Sequence, residues 1–350
     1  MTRAPRSFLQ RVRRKSLRLI APYIPTSLYG RLIERNPVGF FYHLVSDRPL
    51  PHVAHLYPYK STQAFEADIR FLKRHYTLIG YAELLAHARG EAALPPRAAF
   101  LSFDDGFAEC YTVVRPILQK HRIPCIFFLA TDWIDNQAMF YRGKISLIIE
   151  KFTRLPPAEQ TALLTRIRSL LPSRLPVTQS PTPPSIFDLR SLQQSDDARI
   201  DQICEIAGVD PAAYLRQRRP FLTRAQIREM RAEGFVFGGH TRNHPKLNRI
   251  SQERQAAEIV ESCRIVAGIT ADEQVPFAFP FSGNGVDRDF LADLRAQNPH
   301  VGLIFDTQKL RRDRPFIFHR IWADKPVPGL PPSRNLAYWL KDAYVRELVG

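Results

Sequence analysis

The chain has few cysteines and no pattern that would use them. Only four of its 350 residues are cysteine, and they lie far apart without a C-x-x-C pair. This spacing argues against a cysteine-based structural zinc site and against the disulfide framework of a small secreted domain. We interpret all four as free thiols in a reducing compartment, with a single disulfide as the alternative.

A long apolar run is also missing. The N-terminal segment MTRAPRSFLQRVRRKSLRLIAPYIP is interrupted by arginines, whereas a signal peptide needs an unbroken apolar stretch after its basic start. No other stretch approaches the roughly 20 apolar residues of a membrane span. We therefore expect a cytoplasmic protein that does not cross a membrane, although peripheral contact with the inner membrane face stays open.

Acidic residues are scarce relative to basic ones. The chain has 34 Asp and Glu against 50 Lys and Arg, a net charge of +16, and residues 1–35 hold nine basic residues against the single acid Glu34. A basic amphipathic helix there would bind an anionic membrane surface, and a solvated extension docked on the main domain is the alternative. Nucleic acid is a less favoured partner, because the excess is largely N-terminal and no aromatic platform is interleaved with it.

Short apolar runs alternate with helical patterns along the rest of the chain. This alternation predicts parallel strands in a barrel or a doubly wound sheet, with polar residues at the strand ends. The candidate strands are Val38–His43, Ala98–Phe103, Cys125–Leu129, Phe235–Gly238, Phe277–Pro280, Val301–Phe305 and Phe316–Ile321.

The rhythm of strands and helices suggests three parts. Residues 1–36 form a basic extension, residues 37–325 the main α/β domain, and residues 326–350 a C-terminal tail ending in a helix. A stretch at about 140–220 breaks the rhythm and contains a Pro/Ser/Thr-rich segment. We interpret this stretch as a mostly helical insertion over one end of the core.

The first candidate site is the pair Asp104 and Asp105, which follows the apolar run AAFLSF and precedes Gly106. Two neighbouring carboxylates at a strand end can divide the work, since one can bind a cation while the other remains a free base. The alternative is an ordinary Asp-Asp-Gly turn.

The second candidate site contains His240 and His244 in the segment GGHTRNHP. Histidines four residues apart share one side of a helical turn, which suits two imidazoles on one metal ion. Pro245 disfavours a regular helix at His244, so we expect a loop or single turn. Two solvent-facing loop histidines are the alternative.

One aspartate with two histidines gives three protein ligands and leaves a position open for water and substrate, as catalytic metal sites do. The mixed nitrogen and oxygen set suits Zn²⁺, and also Co²⁺, Ni²⁺ or Fe²⁺. A purely structural zinc site is disfavoured because no thiolate takes part.

These segments resemble the polysaccharide deacetylases of carbohydrate esterase family 4, which share the NodB-homology domain. SFDDG and HTRNHP match two family segments in the right order, and FAFPFSG at Phe277–Gly283 resembles a third, so the resemblance covers roughly residues 38–323. It implies a distorted (β/α) barrel with fewer than eight regular repeats. The helical insertion and the N-terminal basic helical extension that we infer from the residues would be additions to this barrel.

The resemblance also implies roles for individual residues. Asp104 would be the general base, and Asp105 the metal ligand together with His240 and His244. The metal would polarise the acetyl carbonyl and the attacking water, and the backbone N–H of Phe281 would hold the oxyanion.

The third segment departs from the family pattern. Many members have an arginine that orients the base where this chain has Ala278, and their usual tyrosine is Phe281 here. We therefore expect Asp104 to lack its usual cationic neighbour.

Three further residues are candidates for the pocket. His319, at the end of a late apolar run, loosely resembles the family's general acid, with a packing role as the alternative. His43 ends the run VGFFYH and is a pocket residue or a capping histidine. Trp133 would stack on a sugar ring or pack in the core.

The expected function is metal-dependent hydrolysis of an acetyl group, foremost the N-acetyl group of an amino sugar in a poly- or oligosaccharide or a lipid-linked glycan. Such an enzyme is a hydrolase of carbon–nitrogen bonds other than peptide bonds. The alternative, suggested by Ala278, is a catalytically degenerate carbohydrate-binding protein of the same fold.

Overall fold

The computed structural model describes residues 37–171, 185–325 and 327–349. The predicted basic extension, residues 1–36, lies outside the described residues, and so does most of the Pro/Ser/Thr-rich segment. None of the helices in these described ranges combines the length and the apolar composition that a membrane span requires.

The described strands run parallel and close into a barrel. β1 pairs with both β3 and β8, so the order β1-β8-β7-β6-β5-β4-β3 forms a ring of seven strands, while β2 pairs with β3 alone. This ring confirms the predicted distorted (β/α) barrel. The strands are β1 (Val38–Tyr42), β2 (Thr77–Leu78), β3 (Ala98–Phe103), β4 (Cys125–Leu129), β5 (Val236–Gly239), β6 (Val275–Ala278), β7 (Val301–Asp306) and β8 (Ile317–Trp322).

Helices surround the barrel, as parallel connections require. The described α-helices are α1 (Thr62–His75), α2 (Tyr81–Ala88), α3 (Arg115–His121), α4 (Tyr141–Thr153), α5 (Pro157–Ile167), α6 (Asp197–Ala207), α7 (Pro211–Arg218), α8 (Arg224–Ala232), α9 (Gln252–Thr270), α10 (Arg288–Gln297) and α11 (Pro332–Val349). A π-helical turn at Cys110–Val114 leads into α3.

The core has two layers because the strands are buried on both faces. Phe100, Phe128 and Phe305 fill the barrel interior, where Phe305 contacts both other rings at 5.4 and 5.2 Å between centroids. Residues on the outer face, such as Phe127 and Phe237, pack against the helices. This double burial explains why the strands read as continuous apolar runs rather than as alternating ones.

The break in rhythm at about 140–220 corresponds to α4–α7, which lie between β4 and β5. These helices have an apolar cluster of their own, with Ile148, Ile149, Ile200 and Ile203 fully buried. Trp133 and other residues next to the barrel mouth belong to the same cluster. The insertion is therefore packed beside the site rather than separate from it.

The C-terminal helix α11 is part of the main core. Its residues Leu336, Leu340 and Tyr344 are buried with the barrel's outer layer, and the Tyr344 hydroxyl lies 3.4 Å from that of Tyr76. The helix therefore stabilises the barrel. The three-part division of the chain stays a prediction.

Candidate active site

Asp105, His240 and His244 meet at the carboxyl ends of barrel strands. β3 ends at Phe103, directly before the two aspartates, and β5 ends at Gly239, directly before His240. The Nε2 atoms of His240 and His244 lie 3.5 and 3.3 Å from Oδ1 of Asp105. All three side chains are buried. The closed barrel thus brings the two sequence motifs together.

The backbone at these residues is unusual. Asp105, Thr241 and His244 have positive φ values of 75°, 63° and 63°, a conformation that non-glycine residues rarely adopt. Gly106 follows with φ 73°, and a Cβ there would lie 2.9 Å from Cδ2 of Leu129. Left-handed turns of this kind bend the chain sharply at each strand end, so that both motifs line one place.

The donor set of Asp105, His240 and His244 fits a divalent metal ion. One ligand atom from each residue lies within 4.8 Å of the others. Oδ1 of Asp105 is buried and has no hydrogen-bond partner among the described residues, although both imidazoles face it. Nδ1 of His240 lies 2.8 Å from the Ala278 carbonyl, which orients the ring as a backbone acceptor does for a ligating histidine.

The ionisation of two of these residues agrees with ligation. Burial foremost lowers the pKa of His240 to about 4, so its imidazole is neutral at pH 7. Burial acts to raise the pKa of Asp105, but the neighbouring His244, His43 and His240 outweigh it and hold that pKa below its ordinary value. Neutral imidazole and ionised carboxylate are the forms that bind metal ions.

Asp104 is held by an arginine from the opposite end of the sequence. The two terminal nitrogens of Arg320 lie 2.6 and 3.0 Å from Oδ1 and Oδ2 of Asp104, and the guanidinium is fully buried between the rings of Phe41 and Phe128. The expectation that Ala278 leaves Asp104 without a cationic neighbour is therefore wrong. β8 supplies the charge that many family members take from their third segment.

His43 lies beside the three ligands and is held by a carboxylate. Its backbone N–H donates to Asp324 Oδ2 at 2.8 Å, and its Nδ1 lies 3.2 Å from the same oxygen. Its ring centroid is 4.7 Å from that of Tyr57, whose hydroxyl donates to Asp105. Burial opposes the charged form, but Asp324 with Asp105 and Asp104 outweighs it and raises the pKa of His43 to about 9.

The structure does not bring His319 to this site. Arg320 points into the barrel, so its neighbour on β8 points outward. Nε2 of His319 lies 3.1 Å from Asp313, and its Nδ1 accepts from the Gln308 N–H at 3.3 Å. Burial lowers its pKa. We therefore do not propose His319 as the general acid.

Trp133 and Phe281 pack on either side of His244. Trp133 is only 2% exposed and its ring lies 5.7 Å from that of His244, so it supports the proposed ligand from within the core. The Phe281 ring lies 4.7 Å from the same imidazole, and Phe281 has φ 57° in the turn after β6. Phe281 is placed at the mouth of the site, whereas Trp133 is behind it.

The family model for polysaccharide deacetylases matches residues 91–179 and 183–299, which is more than half of the chain. The chain belongs to the polysaccharide deacetylase family. The matched ranges contain all three metal-ligand candidates and Asp104, while His43 and Arg320 lie outside them. The predicted family is thereby confirmed.

Individual relatives are distant from this polysaccharide deacetylase. It is 33% identical over 78 residues to the poly-β-1,6-N-acetyl-D-glucosamine N-deacetylase of Escherichia coli K12, which covers 22% of this chain and 12% of the relative. The match thus spans about an eighth of that relative's length.

Solved structures share the fold over most of the chain. The Streptococcus pyogenes deacetylase PplD in complex with acetate has a TM-score of 0.51 at 15% identity, covering 87% of this chain and 97% of that one. IcaB from Ammonifex degensii has a TM-score of 0.52 at 15% identity, covering 88% and 97%. At this identity the likeness shows the barrel fold alone.

Three site residues of this polysaccharide deacetylase were missed from the sequence: Arg320, Asp324 and Tyr57. For two of them, the sequence contains a feature that could have indicated a site residue. Arg320 is a charge inside the apolar strand Ile317–Trp322, and Asp324 follows that strand as Asp104 follows β3. Tyr57 lies in a loop without a distinguishing pattern, and only its 3.3 Å contact with Asp105 identifies it.

Proposed function

We propose that this protein hydrolyses the acetyl group of an acetylated carbohydrate, foremost the N-acetyl group of an amino sugar in a poly- or oligosaccharide or a lipid-linked glycan. The observation that carries the proposal is the convergence of Asp105, His240 and His244 next to an aspartate clamped by Arg320. The name of the Escherichia coli relative, an N-deacetylase, supports the N-acetyl group as the target.

A divalent metal ion, Zn²⁺ foremost with Co²⁺, Ni²⁺ or Fe²⁺ as alternatives, would be held by Asp105, His240 and His244. When bound, it supplies Lewis acidity to the acetyl carbonyl and to the attacking water.

Asp104 accepts the proton of the attacking water. The paired contacts from Arg320 hold both carboxylate oxygens in one orientation, so the base is positioned before substrate arrives. The backbone N–H of Phe281 is our candidate for binding the oxyanion, because Phe281 packs on His244.

His43 donates the proton that the leaving nitrogen requires. Asp324 engages Nδ1 of His43, which leaves Nε2 for the substrate. A protonated imidazole oriented by a carboxylate is a suitable general acid. The reaction is then balanced, since the acetyl carbon gains the water oxygen, the C–N bond breaks and the nitrogen gains a proton.

The proposal is tested by measuring acetate release and bound metal for substitutions of the two aspartates. Asp104→Asn should bind metal but lose about 10²- to 10⁴-fold in turnover, the range typical of general base removal. Asp105→Ala should lose both metal and turnover. Chelation should abolish acetate release, and added Zn²⁺ should restore it.

Asp293→Asn, an exposed carboxylate on α10, is the matched control and should retain both properties. Full turnover by Asp104→Asn would overturn the mechanism. Failure of the wild-type protein to release acetate from any N- or O-acetylated glycan would instead favour the carbohydrate-binding alternative.

A further inference from the structure

Two cations lie at the mouth of the site around the Phe281 ring. Cζ of Arg142 lies 6.0 Å from the centroid of this ring, and Nζ of Lys246 lies 5.2 Å from it. The same ring is 4.7 Å from the His244 imidazole. Both positive charges therefore lie on an aromatic ring that itself packs against the proposed metal ligand His244.

Neither cation has an acidic partner among the described residues. Arg142 is half-buried with no ion pair or hydrogen bond from its guanidinium in that part of the chain, and Lys246 donates only to the neutral amide oxygen of Gln193 at 2.9 Å. The charge of Arg142 also reaches Tyr57, where it opposes the burial and the Asp105 charge that raise the pKa of the Tyr57 hydroxyl.

Neighbouring cations are neutralised, which makes these two stand apart. Lys144, two residues from Arg142 on α4, contacts Asp197 at 2.9 Å and Asp201 at 2.6 Å. Arg242, four residues before Lys246, contacts Asp132 at 3.0 Å. An uncompensated pair of cations beside an aromatic ring attracts anions, and a partly buried location screens the attraction less than an exposed one would.

We propose that Arg142 and Lys246 bind an anionic group of the substrate, so that the preferred substrate is an acetylated sugar with a phosphate or carboxylate on the reacting sugar or the next one. This inference rests on the proposed function and narrows its substrate class. The insertion supplies Arg142 and the Gln193 that orients Lys246, which gives the insertion a role in substrate choice. Arg and Lys together suit a phosphate foremost.

The test compares three N-acetylglucosamine disaccharides: a neutral one, one ending in a 1-phosphate, and one with a glucuronic acid neighbour. The wild-type protein should favour at least one anionic disaccharide over the neutral one in kcat/KM. The anionic disaccharide with the higher kcat/KM then shows whether the site prefers a phosphate or a carboxylate. Arg142→Gln and Lys246→Gln should each lower the anionic-to-neutral ratio about tenfold, the effect of one charged contact.

Lys144→Gln is the matched control. It removes the same charge from the same helix, but at a position facing Asp197 and Asp201, so the ratio should not change. The wild-type preference should also shrink as ionic strength rises. Equal kcat/KM for all three disaccharides, or an equal loss of preference in Lys144→Gln, would overturn the proposal.

A binding measurement separates this proposal from the proposed function. Calorimetric dissociation constants for the three disaccharides are measured on Asp104→Asn, with and without Arg142→Gln. If the wild-type protein releases no acetate but the Arg142-dependent preference in binding persists, the hydrolase fails while the anion site stands. If acetate is released without any preference in binding or turnover, the anion site fails while the hydrolase stands.

Discussion

At the scale of single residues, Arg320 provides the cation beside Asp104 that the third family segment lacks in this chain, where Ala278 stands instead of an arginine. Its guanidinium reaches both oxygens of Asp104 from a strand that is adjacent to β1, not to β3. A buried charge held by two parallel hydrogen bonds fixes direction as well as charge. Arg320 is therefore a positioning residue for Asp104, the proposed base.

Arg320→Lys should lower kcat by on the order of 10²-fold while metal content stays unchanged. Lysine keeps the charge but replaces two parallel bonds with a single point contact, and small displacements of a catalytic group cost about that much. Acetate release and metal analysis check the result. Arg115→Lys, at an arginine that pairs with Glu229 and Glu233 far from the site, is the control and should leave kcat unchanged. An unchanged kcat in Arg320→Lys would remove its positioning role.

The pH dependence tests His43. Burial acts to lower its pKa, but the charge of Asp324 outweighs burial and raises this pKa from 6.5 to about 9 in the protein without a metal ion. We therefore expect kcat/KM to fall on the alkaline side, as the imidazolium loses its proton. The same charged form stabilises the fold fully below pH 6.5, and this contribution is lost as the pH rises through about 9.

Asp324→Asn should move the alkaline fall of kcat/KM to lower pH, because it removes the charge that outweighs burial. His319→Gln should leave the fall where it is, since that ring is bonded to Asp313 outside the site. If the alkaline fall of kcat/KM shifts in His319→Gln but stays at the same pH in Asp324→Asn, His43 is not the general acid.

At the scale of elements, the close packing of β5 against its neighbours β4 and β6 requires glycine at residue 238. A Cβ on Gly238 would lie 2.3 Å from the Pro276 carbonyl oxygen and 2.8 Å from the Phe128 ring. Neither the backbone of β6 nor the packed barrel interior can move aside easily. Gly238 therefore allows β5 to pack closely against β4 and β6. Gly239 allows close packing against α9, since a Cβ there would lie 2.6 Å from Oγ of Ser262.

Gly238→Ala should destabilise the protein by about 1–3 kcal/mol, the usual cost of overpacking, and should weaken metal binding through His240. Gly268→Ala on α9 is the matched control, because a Cβ there meets nothing within 4 Å and alanine favours helix by about 1 kcal/mol. Denaturant midpoints of the two variants should shift in opposite directions. If the denaturant midpoint of Gly238→Ala equals that of the wild-type protein, β5 tolerates a side chain at residue 238.

At the scale of the whole molecule, the excess positive charge lies partly in the N-terminal segment and partly beside the candidate active site. Nine basic residues precede residue 36, and others, such as Arg142 and Lys246, lie beside the site. Membrane contact through residues 1–35 and a cytoplasmic location stay predictions, as does the low preference for nucleic acid. In the proposed anion site, the cations at the mouth would act on nearby substrate groups only, because salt largely screens charge interactions beyond about 10 Å.

Much of the fold and of the candidate metal site was predictable, because the sequence features that indicate them lie within short segments. Alternating apolar strands and helices predict the barrel, and SFDDG and HTRNHP each carry their ligands within a few residues. Both motifs follow predicted strands, so their meeting at one end of a parallel barrel follows from topology. The predicted bounds shift slightly, as for β6, which begins at Val275 and ends at Ala278, before Pro280.

The sequence alone determined that Asp104, Asp105, His240 and His244 share a strand-end site, because chain direction places them there. Only the tertiary structure decided what surrounds them. Arg320 reaches Asp104 across 216 residues, and Asp324 reaches His43 across 281. A side chain becomes a base, an acid or a packing group through the charges and burial opposite it in space, which the barrel sets only when it closes.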